Sequence, residues 1–363
     1  MSGSWTIAVT GINATDNPGP GVSVIRALRA HPDFTGRIVG LAYDCLDPGV
    51  YARELVDDVF LIPYPSQGLG ALRARLREVH ASVGFDVVLP NLDAELPSFI
   101  ALAAGGELFD ELGIGTFLPS QELFDLRSKA HLEQLGERCG IATPKTRVLS
   151  SADDLYSIDD EVDYPFWVKG AYYGATQARS VDEAIAAYHA MVAKWGRPVI
   201  VQASVSGDEI DIVAVGDGRG GMLGAVPMKK TSLTDKGKAW AGITIGDPAL
   251  LEVCRRFFAA TRWRGPCEIE LMRDADGELQ LLEINPRFPA WCYLSAGAGQ
   301  NLPYAVAALA AGRTVAPMRE FKVGTMFVRI ALDQIATLDE LQAITTAGEL
   351  HHSRRPEPPT EES

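Results

Sequence analysis

The stretch Cys267-Glu-Ile-Glu-Leu-Met-Arg-Asp-Ala-Asp-Gly-Glu-Leu-Gln-Leu-Leu-Glu-Ile-Asn-Pro-Arg287 decides the reading of the chain. Asp276-Gly277 stands between two runs of alternating apolar residues, the pattern of a hairpin with a two-residue turn. Such a turn sets Ala275 against Glu278 and, counting back, Glu270 against Glu283 and Glu268 against Asn285. Strand side chains alternate with period two, so these four share one face while Ile269, Leu271, Leu282 and Ile284 share the other. Directly opposed residues stand with Cβ atoms about 4.5–5.5 Å apart, where like charges are destabilising. A hard divalent cation turns that repulsion into attraction, because Mg²⁺ takes oxygen ligands, carboxylates and phosphates among them. The alternative is a polar face turned to solvent. The apolar opposite face and the immediate Pro286-Arg287 favour the metal.

Outward from this hairpin, the preceding segments at Pro198–Gln202, Glu209–Val215 and Met222–Lys229 alternate as antiparallel strands, and a helix is expected at Pro248–Thr261. Ser180 with Glu183 three residues on is a capping box that starts a helix at Val181. Tyr164–Lys169 reads as a strand, and Ser120–Gly140 as one helical segment ending in a turn at Cys139-Gly140. Further out, Thr6–Thr10, Arg37–Tyr43 and Asp86–Pro90 read as strands separated by helices at Gly21–Ala30 and Gly70–His80, which implies βαβ units and a parallel sheet. Gly11, Gly19 and Gly21 follow the first strand without the spacing of a dinucleotide fingerprint, so a tight βα turn is the better reading. The last 25 or so residues, ending in Arg354-Arg355-Pro-Glu-Pro-Pro-Thr-Glu-Glu-Ser, are expected to form a mobile tail.

The chain has 363 residues, enough for two or three domains, with ordinary apolar content (47%) and a net charge of −14. That charge argues against a general nucleic-acid surface while leaving room for a local anion site. No apolar run reaches the roughly 18–20 residues of a membrane span, and no basic segment precedes the first apolar stretch, so neither a membrane partner nor a secretory signal is expected. Five widely spaced cysteines without a C-x-x-C pair argue against disulfides or structural zinc and fit a cytoplasmic protein. The six histidines form no nucleophilic constellation in the sequence.

Glu283-Ile-Asn-Pro-Arg287 resembles the Glu-x-Asn-Pro-Arg signature of the ATP-grasp superfamily, and Glu270 stands at that superfamily's first metal position. The resemblance implies Glu270, Glu283 and Asn285 as ligands of Mg²⁺, or Mn²⁺ in its place, on the phosphates of ATP. It implies Arg287 as the contact to the transferred phosphoryl or acyl phosphate, with Glu268 as a neighbouring candidate on the same face. Earlier segments fall in the family's order. Lys129 in Leu126-Arg-Ser-Lys-Ala resembles the first phosphate-contacting lysine, and Lys169 in Pro165-Phe-Trp-Val-Lys-Gly170 the strand lysine that reaches the α- and β-phosphates. Val199-Ile-Val-Gln-Ala-Ser-Val-Ser-Gly-Asp-Glu209 resembles the adenine linker, which implies main-chain groups around Gln202, Ala203 and Val205 on the adenine and Glu209 as a ribose or hinge contact. Among Lys229, Lys230, Lys236 and Lys238, Lys229 is the expected phosphate or substrate contact and the others a solvated loop. Two departures stand out: the loop Ala171-Tyr-Tyr-Gly-Ala-Thr176 has one glycine where the family's lid has several, and Ala203 replaces the usual linker glutamate.

The fold class implied is α/β plus α+β, an ATP-grasp fold behind an N-terminal Rossmann-like domain. The boundaries expected are 1–118 for that domain, 119–205 for the small lid subdomain, 206–335 for the large catalytic subdomain and 336–363 for a C-terminal segment mobile at its end. The first and last strands are expected in different sheets. The activity implied is that of an ATP-dependent carboxylate–amine ligase of the carbamoyl-phosphate-synthase-like branch, with small-molecule or peptide acids and amines as substrates and a homodimer left open. The alternatives are a carboxylate kinase that releases its acyl phosphate, and a catalytically idle nucleotide-binding subunit.

Overall fold

The computed structural model describes residues 5–13, 18–170, 174–234 and 237–352. It divides into two compact units, one of Met1–Leu118, Thr231–Thr244 and Arg287–Ser363 and the other of Pro119–Lys230 and Ile245–Pro286.

The first unit is built on four parallel strands, β1 (Thr6–Val9), β2 (Arg37–Ala42), β3 (Asp58–Leu61) and β4 (Val87–Leu89), in the order β3-β2-β1-β4. Helices Gly21–Arg29 and Leu69–Val83 provide crossovers, so the strands are buried on both faces and read as near-continuous apolar runs. The turn after β1 closes on its own main chain: Gly19 N–H donates to Asn13 O at 2.9 Å and Gly21 N–H to Gly11 O at 2.8 Å. A Cβ on Gly21 would lie 2.2 Å from the Thr10 carbonyl, so close approach requires glycine there. Buried Glu95 ties the strand ends together, accepting from Asn91 N–H at 2.7 Å and Leu92 N–H at 2.9 Å and from the Thr10 and Tyr43 hydroxyls.

In the second unit, β5 (Thr146–Leu149), β6 (Phe166–Gly170), β7 (Ala175–Ala178) and β8 (Val199–Ala203) form an antiparallel sheet in the order β5-β8-β6-β7. Helix Val181–Trp195 covers it through Ala184, Ala187, Tyr188 and Met191. The expected capping box is half made: Ser180 Oγ accepts from Glu183 N–H at 3.3 Å, but the Glu183 carboxylate takes Arg179 N–H instead. Residues 171–173 of the loop between β6 and β7 lie outside the described residues.

The long strands β9 (Asp208–Asp217) and β10 (Met222–Leu233) follow, then β11 (Ala239–Thr244) of the first unit, β12 (Arg264–Arg273) and β13 (Leu279–Asn285). β13, β12, β9 and β10 are antiparallel neighbours in that order. One face carries Ile210, Ile212, Ala214, Cys267, Ile269, Leu271, Leu281 and Ile284 into a core closed by helix Pro248–Thr261 and helix Leu132–Cys139. Helix formation across 120–140 is interrupted: Gln121–Leu126 and Leu132–Cys139 are separate, and Lys129 sits in the break.

The hairpin departs from its expected turn. Asp274, not Ala275, closes it with Glu278, and the Asp274 carboxylate accepts from Asp276 and Glu278 N–H at 3.1 and 2.9 Å. This shifts the register by one residue, pairing Leu271 with Leu281. A bulge at Leu282 then absorbs the shift, so Glu270 still opposes Glu283 and Glu268 still opposes Asn285. In consequence Leu281 rather than Leu282 enters the core.

The expected partition needs two corrections in the C-terminal third. Residues 287–335 were expected with the large catalytic subdomain, yet Arg287–Ser363 belongs to the first unit. There the almost wholly buried helix Leu302–Ala310 packs on helix Gly21–Arg29 and on β4, with Asn301 Nδ2 donating to Ala27 O at 2.7 Å. β14 (Met326–Val328) pairs antiparallel with β11. The last strand, β15 (Glu349–His351), pairs with β3 and so joins the sheet that holds the first strand, contrary to expectation. Helix Leu338–Ala347, started by a Thr337–Glu340 capping box, and buried Ile344 and Leu350 order most of what was read as tail. Residues 353–363, including Arg354 and Arg355, lie outside the described residues. Among the described residues no helix is long and apolar enough to cross a membrane, and the five cysteines are free thiols.

Candidate functional site

The sheet face opposite the core of the second unit is acidic. β9 contributes Glu209 and Asp211, β12 contributes Glu268 and Glu270, and β13 contributes Glu283 and Asn285. Register sets Glu270 beside both Asp211 and Glu283. Asn285 Nδ2 donates to Glu268 Oε2 at 3.0 Å and to Glu270 Oε1 at 2.8 Å, binding three of these side chains together.

Cations lie against this face. Lys129 Nζ is 3.5 Å from Glu283 Oε1, with the two side chains mostly buried. Lys169, on β6, donates to Gln202 Oε1 at 2.5 Å, and Gln202 in turn donates to Thr146 Oγ1 at 3.2 Å. Burial, aided by the Lys129 charge, holds the Lys169 ammonium below the usual lysine pKa, while Glu283, Glu270 and Glu209 pull the other way. Lys230 Nζ pairs with Glu209 and lies 3.0 Å from Asp211 Oδ2. Its burial opposes the charge, but Asp211, Glu270 and Glu209 outweigh that and raise its pKa. The Asp211 carboxyl is pushed well above the usual range by burial and by Glu270 and Glu268.

Strand phase corrects the choice between the adjacent lysines. Lys229 pairs in register with Ile210 on the core side and ends in an ion pair with Asp208 at 2.8 Å, both side chains about half exposed (44% and 58%). Lys230, read as part of a solvated loop, is the one on the carboxylate face, with its side chain 9% exposed. Lys238 is exposed, and Lys236 lies outside the described residues. Asp211, which the sequence reading did not single out, lies on this face with Lys230. The signal for Asp211 was present, since it stands two residues from Glu209 on one strand.

The linker residues are partly committed to the fold. Ala203 N–H donates to Lys145 O at 2.9 Å, so that donor is already taken. Gln202 is buried, and Val205 lies half-buried in the connection to β9. Gly207 passes Arg273 so closely that a Cβ would lie 1.9 Å from its carbonyl oxygen, which accounts for the glycine of that motif. Arg287 belongs to the first unit, where Nε donates to Asp93 Oδ2 at 2.8 Å. Its position is therefore set by a carboxylate that the sequence reading did not single out.

The donor set fits a hard divalent ion. Glu270 and Glu283 present opposed carboxylates, and Asn285 adds an amide that can offer oxygen once its Nδ2 bonds to Glu268 and Glu270 are exchanged for an ion. No thiol or imidazole is among these side chains, so the site suits Mg²⁺ or Mn²⁺ better than zinc.

Residues 196–330 match a family described as "ATP-grasp in the biosynthetic pathway with Ter operon". A D-alanine–D-alanine ligase of Chromohalobacter salexigens is 28% identical over 172 residues, which is 43% of this chain and 54% of the ligase. The match thus spans about half the length of that relative. Among solved structures, the biotin carboxylase domain dimer of Hydrogenobacter thermophilus 2-oxoglutarate carboxylase, crystallised with MgADP, superposes with a TM-score of 0.67 at 18% identity, covering 89% of this chain and 74% of that one. An L-amino acid ligase from Bacillus licheniformis gives a TM-score of 0.63 at 16% identity, covering 86% and 75%. Its N-terminal parallel sheet, its antiparallel sheets and these similarities show that the chain has the ATP-grasp fold, with residues 196–330 matching an ATP-grasp family.

Proposed function

We propose that this protein is an ATP-dependent carboxylate–amine ligase. The observation that carries the reading is the opposition of Glu270 and Glu283 next to Asn285, with Lys129 and Lys169 against the same face. Opposed carboxylates alone lower stability, and a face that combines them with buried lysines suits a metal–polyphosphate ligand. The D-alanine–D-alanine ligase and L-amino acid ligase relatives support the amide-forming chemistry.

In this reading Glu270, Glu283 and Asn285 hold Mg²⁺, whose contribution when bound is to offset charge on the transferring phosphoryl. Lys129 and Lys169 meet phosphate oxygens, and the main chain from Gln202 to Val205 borders the adenine. Glu209, held by Lys230, faces the ribose hydroxyls. A carboxylate oxygen of the first substrate attacks the γ-phosphorus and ADP leaves. The amine nitrogen then attacks the acyl carbon, phosphate leaves and the amine gives up a proton. Arg287, with a planar fork suited to phosphoryl oxygens, is the proposed contact to the acyl phosphate, exchanging Asp93 for it. Most of the catalytic effect is positioning and charge stabilisation, as is general for phosphoryl transfer. A cytoplasmic homodimer completes the reading, with the dimeric biotin carboxylase domain as its support.

The test is a matrix of amino acids, dipeptides and small acids offered in pairs, with ADP release and product mass followed together. The reading expects ADP release that needs an acid and an amine, and a product weighing their sum less water. ADP release with acid alone would mark a carboxylate kinase. No stimulation by any pair, with ATP still bound, would mark an idle nucleotide-binding subunit.

A further inference from the structure

The acidic face holds a second grouping beyond Glu270, Glu283 and Asn285. Glu209, Asp211 and Glu270 each bring a carboxylate oxygen within 4.8 Å of the others. Asp211 is 1% exposed, and its Oδ1 is buried without a hydrogen-bond partner among the described residues. A buried, unpaired carboxylate oxygen beside two more carboxylates is costly unless a positive charge stands close. The charge that stands there is Lys230, paired with Glu209 and 3.0 Å from Asp211 Oδ2, on a side chain only 9% exposed.

We propose that Glu209, Asp211 and Glu270 form a second cation position that Lys230 fills with its own ammonium, keeping divalent ions out of it. Three carboxylates with an unpaired buried oxygen are a ligand set for a hard cation, and a lysine reaching in from β10 satisfies the charge without supplying a mobile ion. The consequence is selectivity: Glu270 is shared between both groupings, and with its Asp211 side already compensated it is available to an ion only on its Glu283 side. Without Lys230, the Asp211 side would take an ion of its own and draw Glu270 away. The proposal rests on the reading of Glu270 as a metal ligand, but its test separates the two.

The experiment titrates the full chain, free of nucleotide, with MnCl₂ alone and counts bound Mn²⁺ by electron paramagnetic resonance. Lys230→Met should bind one more Mn²⁺ per chain than the wild type, and Asp211→Asn added to it should remove that extra ion. Equal counts for wild type and Lys230→Met would overturn the proposal, as would an extra ion that survives Asp211→Asn. Asp211→Asn in the otherwise native chain should leave the count unchanged; a lower count would mean that an ion already sits beside Lys230, which also overturns it. That arm keeps the test decisive if Lys230→Met fails to fold. Glu283→Gln should lower the wild-type count and leave the extra ion of Lys230→Met in place. An unchanged wild-type count there would count against the Glu270–Glu283–Asn285 site, not against the second position.

Discussion

Lys129 lies 3.5 Å from Glu283, and Asn285 donates to both Glu268 and Glu270, so the opposed carboxylates are partly compensated before any ion arrives. Glu283→Gln is therefore expected to abolish ADP formation while leaving the nucleotide-free protein within about 1 kcal/mol of wild type, because a partly exposed ion pair contributes little. A coupled ADP assay and a thermal melt of the same sample check both halves; full activity in the variant would remove Glu283 from the ligand set. Lys169→Ala and Lys129→Ala should each weaken Mg·ATP binding about tenfold or more, the loss of a charge-assisted hydrogen bond. Calorimetry reads this directly, and wild-type affinity in both would dismiss the phosphate roles. Arg287→Lys should bind Mg·ATP normally and turn over about 10²–10³-fold more slowly, since lysine keeps the charge but loses the two-pronged geometry. Normal turnover would leave Arg287 as the structural partner of Asp93. The shared face of Glu270, Glu283 and Asn285 was legible because one short hairpin pattern carries it. Asp211 shares the strand face of Glu209, but that this face lies beside Glu270 depends on β9 pairing with β12 across distant sequence, and Lys230 comes to it only through the neighbouring β10.

At the scale of elements, helix Val181–Trp195 shows what a cap signal does and does not fix. Ser180 caps it as expected, yet Glu183 reaches Arg179 N–H rather than closing the box. Ser180→Ala should cost about 1 kcal/mol, measurable as a lower urea midpoint with unchanged slope. An unchanged midpoint would show that burial of Tyr188 and Met191 alone holds the helix start. The hairpin teaches a sharper lesson. Asp276-Gly277 located the turn but not its length, and the one-residue error was cancelled by the bulge at Leu282, which nothing in the alternating pattern announced. The opposition of Glu270 and Glu283 is thus real, although the turn assumed for it is not the one formed. The split of 120–140 into two helices had no signal as strong as a proline, and it is that break which carries Lys129.

For the whole molecule, the parallel and antiparallel parts were readable from strand–helix order, whereas the path of the chain after Pro286 was not. Helix Leu302–Ala310 is apolar on every side, so sequence could not say which sheet it covers, and β15 joins the first unit through a pairing with β3 some 290 residues away (His351 with Asp58). Ligand linkage acts on the molecule as a whole. Saturating Mg·ATP at about 100 times its dissociation constant should stabilise the fold by about 2.7 kcal/mol, raising the thermal midpoint, and Lys169→Ala should shrink that shift. A midpoint unmoved by Mg·ATP would contradict nucleotide binding by the native chain. The central claim is that a carboxylate is activated by phosphorylation and then captured by an amine, and isotope transfer tests it most directly. With the acid–amine pair that supports turnover, the acid is labelled with ¹⁸O in its carboxylate and the released phosphate is analysed by mass. The account predicts one ¹⁸O from the acid in each phosphate, because the carboxylate oxygen that attacked phosphorus leaves with it. Unlabelled phosphate formed together with ADP and the amide would contradict an acyl phosphate, and with it the proposed chemistry.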